Sequence, residues 1–207
     1  LSEVLWKDKV SLLYPDKNEF NLYLNKLTSM MGFVSTILAI SIPIIIKRMG
    51  WTTMAMVTPV VMAVTAIGFF TFLLSDGEVT MAIAAFLNMT PLAVAVFFGS
   101  ANNMLSKASK YSFFDASKEI AFTPVDHESR LKGKTAIDGV GSRFGKFGGS
   151  SIQIFLMSPL ALGSLSAATP FVAGILAIMI TVWLFATVAL GKSFNILSSK
   201  QDALQEK

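Results

Sequence analysis

The sequence predicts an all-α integral membrane protein, and three observations carry that prediction. Apolar residues make up 53% of the 207-residue chain and charged residues only 14%, against about 25% charged in ordinary soluble domains. The charges are unevenly spread, with none from Phe147 to Gly191. Several other charge-free runs reach the roughly 18 residues needed to cross a hydrocarbon core. At a mean hydropathy of +0.62, a soluble fold would lack the polar surface to cover itself.

The elements follow in chain order. Leu1-Ser2-Glu3-Val4-Leu5-Trp6 has neither the basic leader nor the cleavage site of a signal peptide, and reads as the last turns of a helix whose beginning is absent. Tyr14-Pro15-Asp16-Lys17-Asn18 marks a turn followed by a short helical lead-in. Crossings are then expected at about 27–46, 52–74, 79–105, 134–158 and 170–190. Lys47-Arg48 and Gly50 close the first, Asp76-Gly77-Glu78 the second, and Lys107 and Lys110 the third. The long uncharged stretch after Lys146 exceeds one crossing at ~1.5 Å per residue, so it is divided at Ser158-Pro159 and at Gly163 through Pro170. Pro43, Pro59 and Pro91 fall inside crossings, where they mark kinks. Residues 106–133 are expected as a loop in which Asp115 caps a short amphipathic helix, 112–122, lying at the membrane interface, and 192–207 as a tail. One truncated helix plus five crossings makes a six-helix half of a larger bundle.

Basic residues orient these spans. Residues 47–50 carry two, 107–134 carry six and the tail carries three, all on one side by alternation. Residues 7–26 carry four on the other side, and 75–78 and 159–169 carry none. The loop and tail are therefore expected to be cytoplasmic and 7–26 external. This asymmetry also accounts for the sequence pI near 9.3 without nucleic acid as a partner.

With no Cys and a single His, His127, the chain lacks thiolate chemistry and any multi-histidine metal site. No nucleophile–base pair or catalytically spaced carboxylate pair occurs, so neither an enzyme nor a cofactor is expected. A phosphate-binding P-loop fails around Gly145-Lys146, because Val140 and Phe147 stand where glycine and a hydroxyl residue are required.

The unusual feature is the polar first half of the 134–158 crossing, which contains Lys134, Thr135, Asp138, Ser142, Arg143 and Lys146. Arg143 and Lys146 are spaced i, i+3 and share a helix face. A cation at membrane depth costs a few kcal/mol unless it faces a wet cavity or a partner. The pair therefore either lines a polar path and binds an anion, or snorkels to the cytoplasmic surface. Gly145, Gly148 and Gly149 would let a ligand or a neighbouring helix approach the backbone. Asp138, Glu3, Asn102 and Asn103 are further candidates for the ligand. Glu3 can alternatively be a helix-end acid, and the asparagines can join helices. Two functions fit: a transporter of an anionic solute, or a membrane scaffold that moves nothing. A scaffold has no reason to keep unpaired cations inside the membrane.

The stretch Lys110-Tyr111-Ser112-Phe113-Phe114-Asp115-Ala116-Ser117-Lys118-Glu119-Ile120-Ala121-Phe122-Thr123-Pro124-Val125-Asp126 resembles the signature loop of the ATP/ADP translocases of obligate intracellular bacteria and plastids. So do Lys132-Gly133-Lys134-Thr135-Ala136-Ile137-Asp138, Gly141-Ser142-Arg143-Phe144-Gly145-Lys146 and Gly148-Gly149-Ser150. Ser2-Glu3-Val4-Leu5-Trp6-Lys7, Lys47-Arg48-Met49-Gly50-Trp51 and Asn103-Met104-Leu105-Ser106-Lys107 also fit, so the resemblance covers essentially the whole chain. It departs at Phe147, where members often have Ser, and at Ala116, where many have Pro.

The resemblance implies the C-terminal half of a twelve-helix, major-facilitator-like transporter in a bacterial inner membrane. The partners it implies are ATP and ADP as exchanged substrates, the lipid bilayer, and an N-terminal half of the same protein. Proton-coupled nucleotide import is the alternative within the family. Glu3 and Lys146 match the charged residues the family uses for transport.

Overall fold

The computed structural model describes residues 2–74, 77–158 and 165–205, and among them every regular element is helical. The elements are α1 (Ser2–Leu13), α2 (Lys17–Leu74), α3 (Glu78–Phe86), α4 (Pro91–Ser109), α5 (Asp115–Ala121), α6 (His127–Lys134), α7 (Ser142–Met157) and α8 (Leu165–Gln205). Two π-helical turns, Lys110–Phe114 and Thr135–Gly141, join α4 to α5 and α6 to α7.

α1 ends because Pro15 has no N–H to continue it, and Asp16 starts α2 by accepting from the Asn18 and Glu19 amides at 2.8 and 3.0 Å. The expected turn thus lies at residues 14–16, and most of 7–26 is helix. α2 contains both of the next two expected crossings. Its 58 residues are broken at Gly50, whose φ of 78° only glycine adopts without strain. A single residue therefore reverses the chain between the arms, and Lys47 and Arg48 sit beside it.

The third expected crossing is corrected. Residues 79–105 do not form one helix, because α3 and the α4–α5 segment meet at an 87° bend. Asn88 takes a positive φ of 53°, a conformation its short polar side chain tolerates. Thr90 then caps α4 by accepting from the Ala93 amide at 3.2 Å, and Pro91 occupies the first turn, where its missing N–H costs nothing. Pro91 is therefore a helix start and not a kink.

The 106–133 loop is corrected as well, since it is largely helical. α4 runs through a π-helical turn into α5, so Asp115 has no helix end to cap and instead pairs with Lys110 at 3.2 Å. Residues 112–122 pack against α2. Ser112 donates to the Ser35 carbonyl of α2 at 2.9 Å, Trp51 donates its indole N–H to the Ser117 carbonyl at 2.9 Å, and Phe113 is buried. Asp126 caps α6 by accepting from the Ser129 amide at 3.0 Å. Arg130 folds back on the end of α5, donating to the Phe122 and Thr123 carbonyls at 2.9 Å each.

The Asp126 cap has a pH signature. The Ser129 hydrogen bond holds its carboxyl below the ordinary 3.8. A depressed carboxyl pKa contributes stability that is full above the unfolded value and is lost as pH falls through the folded one. Amide-exchange protection at Ser129 is therefore expected to fall selectively below about pH 4. Protection independent of pH down to 2 would show that the cap contributes nothing.

The last two helices also depart from expectation. α8 begins at Leu165 with Pro170 in its second turn, and it continues through most of the expected tail to Gln205. α7 ends at Met157 with Ser158 as its C-cap, but Pro159 and the start of the Gly163–Pro170 break lie outside the described residues, as do Ser75 and Asp76.

The core gathers Leu5, Trp6 and Val10 of α1, Ala66, Phe69 and Phe70 of α2, Val96 of α4, Leu156 of α7, and Ala168 and Val172 of α8. Its polar clasp is Ser100, which gives its proton to the Val96 carbonyl at 2.7 Å and accepts the Trp6 indole N–H at 2.9 Å. The Tyr23 hydroxyl, 2.6 Å away, must then be the donor to Ser100. Three helices are joined by one hydroxyl.

The outward surface is apolar: Ile40, Ile67 and Phe185 are 71%, 68% and 74% exposed. So much exposed apolar surface suits lipid as the solvent. Among the described residues α2 and α8 are long and apolar enough to cross a membrane, and α3 with the α4–α5 segment counts as a third only if that bent pair is one span. The chain is an integral, multi-pass membrane protein.

Candidate functional site

α1 and α4 face each other with matched polar spacing. Glu3 and Lys7 are one turn apart on α1, and Asn103 and Lys107 are one turn apart on α4. Between them lies a cleft of about 140 Å³, whose apolar side is closed by Leu24, Leu27 and Met31 of α2. One oxygen of the Glu3 carboxylate takes the Lys7 ammonium at 3.1 Å, and the other takes Lys107 at 3.2 Å. The clasp at Ser100 sets the spacing, because Trp6 is one turn from Glu3 and Ser100 borders the same cleft.

The structure sorts the sequence candidates into groups. Glu3 and Asn103 meet in the cleft. Asn102 does not, although it is the adjacent residue. It is buried and donates to Thr65 of α2 at 2.9 Å, the helix-joining alternative. Asp138 is taken by Lys118 at 2.7 Å, and its hydrogen bond raises the Lys118 pKa above the usual 10.5. Lys134 and Glu119 form a second link between the same two segments, so α5 is strapped to the helix that leads into α7.

Arg143 and Lys146 lie exposed on α7, away from the cleft, and neither has an ion pair among the described residues. Among the described residues α7 joins the core at its far end, through Ile152 and Leu156. A methyl group added at Gly145, Gly148 or Gly149 would meet nothing within 4 Å. Among the described residues, then, nothing crowds an added Cβ at those glycines.

Lys7 and Lys107 are the cleft residues that sequence reasoning missed. Both were counted as topology signals on opposite sides of the membrane, and that assignment is corrected for these two residues, because a single carboxylate bridges them. The available signal was the repeated four-residue spacing, acid to base on α1 and amide to base on α4. Two further cavities are apolar: one of about 560 Å³ between α2 and α8, and one of about 350 Å³ walled by Trp51, Trp183 and Phe194. Among the described residues no cluster of His, Asp and Glu could hold a metal ion.

Residues 1–194 match the family described as TLC ATP/ADP transporter. The chain is 38% identical over 204 residues to "ADP,ATP carrier protein 1" of Rickettsia typhi, covering 98% of this chain and 41% of that protein. It is 42% identical over 203 residues to "ADP,ATP carrier protein 1" of Chlamydia muridarum, covering 98% of this chain and 38% of the relative. Against "ADP,ATP carrier protein 1, chloroplastic" of Arabidopsis thaliana the identity is 36% over 206 residues, covering 100% of this chain and 32% of the relative. The chain thus spans about two fifths or less of the length of these relatives. No solved structure matches.

Proposed function

Since the chain belongs to the TLC ATP/ADP transporter family, we propose that it works within a membrane carrier that exchanges ATP for ADP by alternating access. The observation that carries this reading is the Glu3–Lys7–Lys107–Asn103 cleft, a charged recess between helices whose outer faces are apolar. Intramembrane charge is expensive and is kept where a charged solute passes.

In this reading the chain is the C-terminal half of a twelve-helix, major-facilitator-like carrier in a bacterial inner membrane. A preceding half, corresponding to the part of the relatives that this chain does not cover, faces the cleft and the open side of α7. Arg143 and Lys146 then serve the phosphates from α7. Gly145, Gly148 and Gly149 leave room for the nucleotide or the facing helix. Asn103 donates to the ligand beside Lys107.

Uptake of labelled nucleotide by bacterial cells expressing the full-length protein tests this. Saturable uptake that depends on internal nucleotide is expected. Uptake driven by a proton gradient without internal nucleotide would mean proton-coupled import, and no uptake would leave a scaffold. Residues 1–207 alone are expected to give no saturable uptake, because half a cavity leaves its cations facing no second wall. Topology offers an independent check. A reporter in residues 75–78 is expected outside the cytoplasm and one in residues 123–126 inside it, and the reverse pattern would overturn the orientation.

A further inference from the structure

We propose that Glu3 and the phosphates of the substrate compete for the same two ammonium groups, Lys7 and Lys107, so that these ion pairs break as a nucleotide binds and re-form as it leaves. This rests on the transporter reading. It goes further by making both lysines phosphate ligands and Glu3 their internal competitor.

The geometry points that way. Each Glu3 oxygen holds one lysine, at 3.1 and 3.2 Å, so the carboxylate spans the two ammoniums as a bridging phosphate would. The three side chains are 40%, 47% and 39% exposed, and ion pairs so open to solvent are held weakly and exchange readily. A phosphate group brings more charge and more acceptor oxygens than one carboxylate, which favours it for both lysines at once. Asn103, one turn from Lys107 in the same cleft, offers amide donors that a carboxylate already satisfied by two lysines does not use.

Size fits the phosphates and excludes the rest of the molecule. The cleft holds about 140 Å³, whereas pockets for whole drug-sized ligands run to ~300 Å³ and above. The base and sugar must therefore lie outside it. The clasp from Trp6 to Ser100 remains when the Glu3 pairs break. The exchange thus frees the polar end of α1 from α4 while the helices stay joined one turn away. A competitor of this kind keeps a carrier from holding its substrate too tightly, since re-forming the internal pairs assists release.

Equilibrium binding of ADP to the full-length protein, with adenosine as the phosphate-free control, tests this. Glu3→Gln removes the competitor and keeps the shape. It is expected to bind ADP about tenfold tighter, to leave adenosine unchanged, and to slow exchange through slower release. Lys107→Met is expected to weaken ADP binding roughly tenfold to a hundredfold, again without effect on adenosine. Lys107→Arg, which keeps the charge if the Met variant fails to reach the membrane, should restore most of the affinity. Unchanged or weaker ADP binding in Glu3→Gln, alongside normal wild-type uptake, would overturn the competition and leave the transporter reading standing. Equal losses for ADP and adenosine in Lys107→Met would reduce Lys107 to a structural link. Absence of uptake by the wild type would remove both.

Discussion

Lys146→Ala is expected to impair transport severely while the protein still reaches the membrane in normal amount. The side chain is exposed on α7 and packs against nothing that its loss would unsettle. Removing a cation that faces a polar path relieves a desolvation cost, so the fold should not suffer. The nucleotide loses a charge-assisted hydrogen bond worth about 1.5–3 kcal/mol, roughly 10- to 150-fold in affinity. Lys146→Arg should rescue only in part, because a planar fork does not replace a compact ammonium. A lysine that merely snorkels to the surface gives the opposite pattern, with Arg fully tolerated and Ala nearly silent. Uptake kinetics at equal membrane abundance decide, and wild-type kinetics in the Ala variant would return Lys146 to the role of a topology signal.

Gly99→Ala is expected to damage the fold itself. A Cβ there would lie 2.6 Å from Cδ1 of Trp6 and 2.8 and 2.9 Å from the Phe69 ring. Neither ring can yield cheaply. Trp6 is held by its hydrogen bond to Ser100, and Phe69 is fully buried against Phe70. Overpacking of this kind costs about 1–3 kcal/mol. Because α1 must shift to relieve it, Glu3 moves out of register with Lys107, and transport falls along with stability. Gly174→Ala, at an exposed position of α8, is the contrast. An added methyl there meets nothing within 4 Å, and alanine is the better helix former by roughly 0.5–1 kcal/mol, so the fold should tolerate it. Thermal unfolding of the solubilised full-length protein measures the difference. Equal midpoints for Gly99→Ala and wild type would mean that α1 does not dock where the structure has it.

Much of the helical organisation was legible in the residues. A bilayer selects on hydropathy along the chain, a one-dimensional property. The runs 27–46 and 52–74 both fall within α2, and Gly50, placed by its neighbouring cations as a turn, supplies the positive φ that separates the arms. The 87° bend was also legible but misjudged. Asn88, Thr90 and Pro91 together are a helix stop followed by a helix start, and reading Pro91 alone as a kink lost that signal inside an apolar run. The continuation of α4 into α5 was not legible. Polar residues such as Ser112 and Ser117 look like loop until Ser35 and Trp51 of another helix supply their partners.

The sequence by itself determined that this chain is helical, belongs in a membrane and carries a small set of charges with no soluble-protein explanation. Composition and run length decide those matters without reference to any contact. Which charges meet was decided only by the tertiary structure. Glu3 finds Lys107 because Gly99 and Ser100 let α1 dock on α4 at one height, a contact between residues far apart in the chain. Asn102 and Asn103 are neighbours with the same chemistry, yet a helix turns successive residues by about 100°, so one binds Thr65 in the core and the other lines the cleft. Hydropathy carries no information on that rotation. It is set by how ridges and grooves of the helices interlock, and so the charge partners had to wait for the packing.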